Sequence, residues 1–222
     1  VRRDVNFVDY AYVWNATTET QDKSYTASSI AKSLYRYPGK WRREWMALGF
    51  VDPNHTGVNY CPLRYADVVL MAAEAYNETN NTTEAWKLLN DVRQRAEATP
   101  ITSANYASLM KAPKVYNLDF IDDSDDAGKF RTALYWERGF ELCYEGQRKY
   151  DFLRWGCLGD ALRAAQAYIE SWYPDANEYI NASTLQSWDP VSWASSNYVA
   201  GHNFVDGKHE LYPIPLAEIQ SN

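Results

Sequence analysis

Three glutamates recur at four-residue steps in one helical stretch, and their spacing invites a catalytic or metal-binding interpretation. Glu137, Glu141 and Glu145 lie within residues 133–156, ALYWERGFELCYEGQRKYDFLRWG. A glycosidase needs two carboxyl groups that face each other across the sugar, about 5 Å or more apart. Neighbours on one helix face point the same way instead. A carboxylate-bridged di-iron site needs a Glu-x-x-His from facing helices, and the sequence has no such pair.

An ion-pair network explains these glutamates better than an active site does. Three carboxylates on one helix face repel each other unless cations lie among them. The planar fork of an arginine can bridge two carboxylates, and the same stretch contains Arg138, Arg148 and Arg154. We therefore predict that Glu137, Glu141 and Glu145 are structural, and that Glu141 and Glu145 are buried and paired with arginines.

The other polar patterns predict no catalytic residue, no metal site and no cofactor. The three histidines lie in loop-like segments without the paired spacing of a metal or catalytic motif. An EF-hand loop begun at Asp122 would place Ala127 where glycine is needed and Ala133 where glutamate is needed. The acidic run around Asp122 is better explained by the dipole of a following helix. The three cysteines have neither metal-ligand nor redox spacing.

The composition indicates a folded domain and excludes some partners. The chain has 222 residues, of which 46% are hydrophobic and 23% charged, an ordinary balance for a globular protein. Its net charge of −7 argues against nucleic acid, whose binding depends on clustered lysine and arginine. No apolar run approaches the ~20 residues of a membrane-spanning helix. The 9 Trp and 18 Tyr are the unusual feature, because such enrichment usually leaves some rings at binding surfaces.

The elements that position these residues are predicted from periodicity. Residues 1–61 read as strands and a loop, with two extended stretches separated by a turn-like segment over 15–29. Residues 62–98 read as a helix pair, because Pro62 suits a first helical turn and apolar residues follow at helical spacing. Small and apolar residues fall at the helix-crossing positions of a degenerate tetratricopeptide unit: Ala73, Tyr76, Ala85 and Leu89. Residues 125–171 read as a second helical pair, and 172–222 as a loop-rich closing segment.

Three windows resemble the SusD/RagB family of outer-membrane nutrient-binding lipoproteins. The stretch ERGFELCYEGQRKYDFLRWG resembles the family signature ERxxELxxEGxRxxDLxRWG, with Phe152 as its one departure. The stretch RYADVVLMAAEAYNE resembles RYADVLLMYAEAxNE, and HELYPIPLAEIQSN resembles the closing LxPIPxxEIxxN. The opening RRD resembles a strand in the middle of full-length members, so the chain corresponds to the C-terminal half of the family, and we expect the N-terminal half to be absent.

The resemblance implies a fold and a function. The fold would be mainly α, with tetratricopeptide-like helix pairs, long loops and a small β element. The function would be non-catalytic capture of an oligosaccharide or polysaccharide at the bacterial surface and its delivery to a TonB-dependent, SusC-like transporter. The protein would be a surface-exposed outer-membrane lipoprotein whose signal and anchor lie outside this chain. The missing N-terminal half of the same protein would be a further partner. Nucleic acid is not expected as a partner.

The ligand-binding candidates are tryptophans in loops. The apolar C–H face of a sugar packs on an aromatic ring while polar side chains bind its hydroxyls. We predict a sugar platform among Trp41, Trp45, Trp188 and Trp193, with Trp14 on a predicted strand as a further candidate. Two other functions stay open at this point: a helical-repeat module that binds a protein or peptide, and a glycan-cleaving enzyme.

Overall fold

The computed structural model describes residues 5–8, 10–18, 20–25, 37–42, 57–110, 121–167 and 204–211. These residues form two compact units, the first drawn from 5–110 and 121–148, and the second from 149–167 and 204–211. The described structure is mostly helical with short strands, which confirms the predicted mainly α fold. None of the described helices combines the length and the apolar character that a membrane span requires.

The first unit is built on a helical hairpin. Helix α1 spans Tyr65–Glu78 and helix α2 spans Thr82–Arg95. The Asn81 side chain caps α2 by accepting a hydrogen bond from the Glu84 amide at 3.4 Å. Ala73 and Ala85 are fully buried, and their small side chains let the two helices pack closely. The predicted helix pair is thus present, although Tyr76, assigned to the same buried set, is half-exposed.

A third long helix, α4, packs against both members of the hairpin. It spans Asp126–Glu141 and follows the short helix α3, Tyr106–Leu109. The Asp125 carboxylate accepts a hydrogen bond from the Gly128 amide at 2.7 Å, so one member of the acidic run caps the helix. Phe130 and Leu134 fill the core between the three long helices. Helix α3 interrupts a stretch that the sequence predicts as loop, because one turn of helix has too short a pattern to detect.

The small β element consists of two antiparallel pairs. Strand β1 (Phe7–Val8) pairs with β4 (Tyr37–Pro38), and β2 (Tyr10–Asn15) pairs with β3 (Thr20–Tyr25). The prediction of a turn over 15–29 is wrong for β3. Its sequence TQDKSY has no apolar alternation, so the strand depends on pairing with β2 and not on its own pattern. Residues 26–36 and 43–56 lie outside the described structure.

The second unit contains two helical segments. Helix α5 runs over Arg148–Arg154 and belongs to this unit from residue 149 onward, and helix α6 covers residues 158–167 of the described chain. Residues 204–211 pack on α6 at Gly159, where an added Cβ would lie 2.4 Å from a carboxylate oxygen of Asp206. Arg163 of the same helix pairs with Asp206 at 3.1 Å. Most of the segment predicted as loop-rich, 172–222, lies outside the described residues.

We expect Gly128→Ala to destabilise the first unit. Its Cβ would lie 1.9 Å from the backbone oxygen of Asp122, and the backbone that enters α4 would have to shift. The expected loss in the free energy of unfolding is about 2 kcal/mol or more, measured by chemical denaturation. Gly57→Ala is the matched control, because nothing lies within 4 Å of the Cβ position there. Equal stability of the two variants would contradict this packing.

Candidate functional site

Helix α4 carries two buried ion pairs along its length. Glu137, which is fully buried, accepts a hydrogen bond from Arg93 of α2 at 2.7 Å. Arg138 lies 2.8 Å from the Asp67 carboxylate of α1. Both pairs cross from α4 to a helix of the hairpin. Because each buried charge needs its partner, these pairs hold the three helices in one relative orientation.

The third glutamate of the series does not lie on the helix. Helix α4 ends at Glu141, and the chain turns through Tyr144 (φ 63°) and Gly146 (φ 79°). Glu145 sits between these two left-handed residues. The prediction that Glu137, Glu141 and Glu145 stack along one helix face is therefore wrong for Glu145. Its carboxylate nevertheless reaches the same place, because the turn folds back beside the helix end.

Arg64 joins the two carboxylates at this helix end. It is the residue immediately before α1, and its extended backbone marks the start of that helix. Its Nε donates to Glu145 at 2.6 Å and its Nη1 donates to Glu141 at 2.7 Å. Its Nη2 also donates to the Glu141 backbone oxygen at 2.6 Å. One guanidinium thus bridges both carboxylates and satisfies a carbonyl at the end of α4.

Two further cations complete the group, which we call the ion-pair cluster: Lys40, Arg64, Arg95, Glu141 and Glu145. Lys40 bonds the Glu145 carboxylate and also donates to the Glu141 backbone oxygen at 2.6 Å. Arg95, the last residue of α2, bonds the Glu141 carboxylate. The glutamates are buried, whereas the Arg95 side chain is 61% exposed. The cluster therefore has a buried anionic centre and an open cationic edge.

The arginines predicted as partners make other contacts. Arg138 pairs with Asp67, and Arg154 pairs with Asp151 at 3.0 Å within the second unit. Arg148 donates to the Tyr135 backbone oxygen at 2.7 Å and lies over the Tyr135 ring. Arg64 contacts the carboxylates of both Glu141 and Glu145, and Arg95 contacts that of Glu141. The sequence pattern contained one sign of this, because Arg64 opens the RYADVV motif, but nothing local connects it to Glu145.

The cluster shifts the titration of Glu145. Burial of the carboxyl acts to raise its pKa, and the hydrogen bonds from Arg64 and Lys40 outweigh that effect. The net result is a pKa below the usual value for glutamate. Glu145 is therefore ionised at neutral pH and held as an acceptor. No three His, Cys, Asp or Glu side chains of the described residues come together as a metal site would need.

Aromatic rings rest on the same turn. The Trp41 indole Nε1 donates to the Tyr144 backbone oxygen at 3.0 Å, and the Tyr60 hydroxyl donates to the Glu145 backbone oxygen at 3.0 Å. The two rings are stacked, with centroids 5.6 Å apart and planes 24° apart. Phe7 packs edge-on against the Tyr144 ring at 5.4 Å. The turn that carries Glu145 thus fixes the position of a stacked tryptophan and tyrosine.

The ion-pair cluster and Trp41 line one pocket of about 540 Å³ within the first unit. Asn6 and Asn59 contribute amide groups to the same lining, and Cys61 is also part of it. This volume is within the usual range of small-molecule sites. The pocket combines an indole ring, amides and charged groups, which is the mixture a polar, partly apolar ligand needs.

Of the predicted sugar-binding tryptophans, Trp41 is the one whose side chain the structure describes. It is half-buried and lies at the pocket. Trp14 has its backbone on β2, paired with Gln21, and its side chain is outside the description. Trp45, Trp188 and Trp193 lie outside the described residues. Lys40, Tyr60, Arg64 and Arg95 are pocket or supporting residues that the sequence reasoning did not assign.

The helical hairpin and the ion-paired third helix define a mainly α protein with a surface pocket, and comparison with known proteins identifies its class. The profile of the SusD family matches residues 1–222. The chain belongs to the SusD family.

The individual relatives agree with this assignment. The SusD-like protein P25 of Formosa agariphila is 36% identical over 169 residues, which cover 76% of this chain and 23% of that protein. The SusD-like protein P2 of the same organism is 31% identical over 144 residues, covering 64% of this chain and 24% of that protein. The chain thus spans about a quarter of the length of these relatives. A crystal structure of a SusD homolog from Bacteroides thetaiotaomicron matches with a TM-score of 0.66 and 27% identity, over 99% of this chain and 38% of that one.

We expect Arg64→Met to cost about 3 kcal/mol or more in the free energy of unfolding, because it leaves two buried carboxylates without their shared partner. Arg64→Lys should cost less, since it keeps the charge but loses the fork. Arg131→Met is the matched control: Arg131 pairs with Glu78 on the surface at 2.7 Å, with 48% of its side chain exposed, so about 1 kcal/mol or less is expected. Denaturant titration checks all three. A loss in Arg64→Met no larger than in the control would contradict the bridging role.

The stabilisation from Glu145 should depend on pH. Its folded-state pKa lies below the usual 4.5, so its contribution is present above about pH 4.5 and is lost as the pH falls through the folded value. The difference in unfolding free energy between the wild type and Glu145→Gln should therefore be constant from about pH 7 to 5 and narrow below that. Parallel denaturant titrations across this range provide the measurement. A difference that widens toward acid pH would mean that burial, and not pairing, controls this carboxyl.

Proposed function

We propose that this chain takes part in the non-catalytic binding of oligosaccharides at the bacterial cell surface. Membership in the SusD family supports the class of function, and the observation that carries the site is Trp41 at the pocket. Tyr60 stacks on one face of the indole, and we place the ligand against the opposite face. The rings are held by hydrogen bonds to the backbone at residues 144 and 145, so the platform is ordered before a ligand binds.

The chemistry of the pocket suits a sugar. The axial C–H groups of a pyranose form an apolar face that packs on an indole, as aromatic rings at binding sites do. The ring hydroxyls need donors and acceptors in the surrounding wall, and the amides of Asn6 and Asn59 lie there. One Asn6 donor is already used by the Phe140 backbone oxygen at 2.7 Å, whereas the Asn59 side chain is exposed. Asn59 is therefore the better candidate for direct contact.

The ion pairs argue against a glycan-cleaving enzyme. A glycosidase needs one carboxylic acid with a raised pKa to protonate the leaving group. The pKa of Glu145 is lowered by Arg64 and Lys40 despite burial of the carboxyl. The carboxylate of Glu141 is occupied by two arginines. Glu145 is held as an ionised acceptor and the Glu141 carboxylate is bonded by two arginines, which suits structural support and not proton transfer.

Family membership also supports the cellular setting that we propose. The chain would act at the outer membrane as part of a surface lipoprotein and pass its ligand to a TonB-dependent transporter. Trp14, Trp45, Trp188 and Trp193 remain candidates for additional sugar contacts.

The second candidate function is the binding of a peptide or protein. It is favoured by an exposed apolar row on α1, which is formed by Tyr65, Val68 and Met71.

We expect Trp41→Ala to weaken oligosaccharide binding by about 2 kcal/mol, the size typical of a lost aromatic anchor. Calorimetric titration with a panel of neutral and acidic oligosaccharides measures the affinity, and chromatography of the same mixtures tests for cleavage. Tyr65→Ala is the matched control, because that ring is 82% exposed and is not part of the pocket lining. Wild-type affinity in Trp41→Ala would place the platform elsewhere. Loss of oligosaccharide binding only in Tyr65→Ala would place the sugar on the exposed apolar row of α1 instead.

A further inference from the structure

The pocket carries a charge opposite in sign to that of the whole chain. Among the described residues that line it, three are cations, Lys40, Arg64 and Arg95, and two are carboxylates, Glu141 and Glu145. The chain as a whole has a net charge of −7. A concave surface with an excess of one sign concentrates ligands of the other sign. The local excess of positive charge therefore favours a ligand group that is negatively charged.

Arg95 is the cation whose positive charge is exposed at the pocket. Lys40 and Arg64 are largely enclosed, with 16% and 26% of their side chains exposed, and both are engaged with the buried carboxylates. Arg95 is 61% exposed and uses Nη2 for Glu141. Because Arg64 already bonds the same carboxylate, Glu141 does not depend on Arg95 for neutralisation. The charge of Arg95 is thus available to a ligand.

The free donors of Arg95 fit an oxyanion. Among the contacts of the described residues, its Nε and Nη1 groups are not engaged. Planar N–H groups of a guanidinium match the oxygens of a carboxylate or a sulfate, and hydrogen bonds between charged partners are stronger than neutral ones. Asp91 and Glu97 are the carboxylates nearest to Arg95 in sequence, and neither lines the pocket. Among the described residues, the pocket lining holds no carboxylate beyond the paired glutamates.

We propose that the pocket binds an acidic sugar unit, with its carboxylate or sulfate ester against Arg95 and its ring on Trp41. This inference rests on the glycan-binding function proposed above and narrows its ligand class. Both groups line the same pocket of about 540 Å³, which accommodates a small ligand. A neutral sugar would use Trp41 and the amides but would leave the Arg95 donors to water.

The test compares ligands that differ only in charge. The first pair is an oligogalacturonide and its methyl ester, which share one sugar skeleton and test the carboxylate. The second pair is a sulfated galacto-oligosaccharide and its unsulfated parent, which test the sulfate ester. We expect the acidic member of at least one pair to bind about tenfold more tightly, as one charge-assisted hydrogen bond allows. The preference should decrease between about 50 and about 500 mM NaCl, because salt screens an exposed charge.

Arg95→Gln should abolish this preference, so that the acidic and the neutral member of each pair bind the variant with equal affinity. Arg131→Gln is the matched control, since Arg131 is similarly exposed and pairs with Glu78 away from the pocket lining; it should keep the preference. A thermal melt of each variant confirms that both are folded. Equal affinity for acidic and neutral ligands, or a preference that survives in Arg95→Gln, would overturn the inference. Trp41-dependent binding of neutral ligands would still support the proposed function, whereas binding that is absent for every sugar would overturn both.

Discussion

The described arrangement of the first unit depends on the pairing of two carboxylates that are buried at the end of α4. A carboxylate removed from water is tolerated only with a partner that restores its lost solvation. Glu141 and Glu145 obtain partners from three separate places: the end of the β1–β4 pair, the residue before α1 and the last residue of α2. Pairing these two carboxylates therefore brings four parts of the chain together, namely these three and the end of α4. Hydrophobic packing between α1, α2 and α4 provides the bulk of the core, and the ion pairs select one geometry for it.

The same turn connects stability with the candidate binding surface. Lys40 and Arg64 satisfy the terminal carbonyl of α4 as well as the carboxylates, so the helix end and the turn after it are held by side chains. That fixed turn then offers the backbone oxygens that orient Trp41 and Tyr60. A ligand meets rings whose position is set in advance, which reduces the entropy lost on binding. The ion pairs that stabilise the fold and the rings of the proposed sugar platform therefore depend on the same turn.

Buried and exposed residues of the ion-pair cluster have different roles. The buried side, Glu141 and Glu145 with Lys40 and Arg64, is internally neutralised and contributes to the fold. The open side, Arg95 and Trp41, faces the pocket and is suited to a ligand. In this division the two glutamates of the pocket lining are paired within the cluster, and the exposed charge at the pocket is that of Arg95. The groups with catalytic potential are the ones that are already paired.

Helices α1, α2 and most of α4 are predictable from the amino-acid sequence, because apolar residues at helical spacing are a local feature. The sequence also determined the family, since the ERGFELCYEG window keeps its polar residues at fixed positions. It did not reveal that α4 ends at Glu141, that the polar stretch TQDKSY is a strand, or which cations pair with which glutamates. The partners of Glu141 and Glu145 lie 46, 77, 81 and 105 residues away along the chain. Helical periodicity relates residues three or four positions apart. Ion pairs over these much longer separations depend on how the helices pack against one another, which is a property of the folded chain and not of any local pattern.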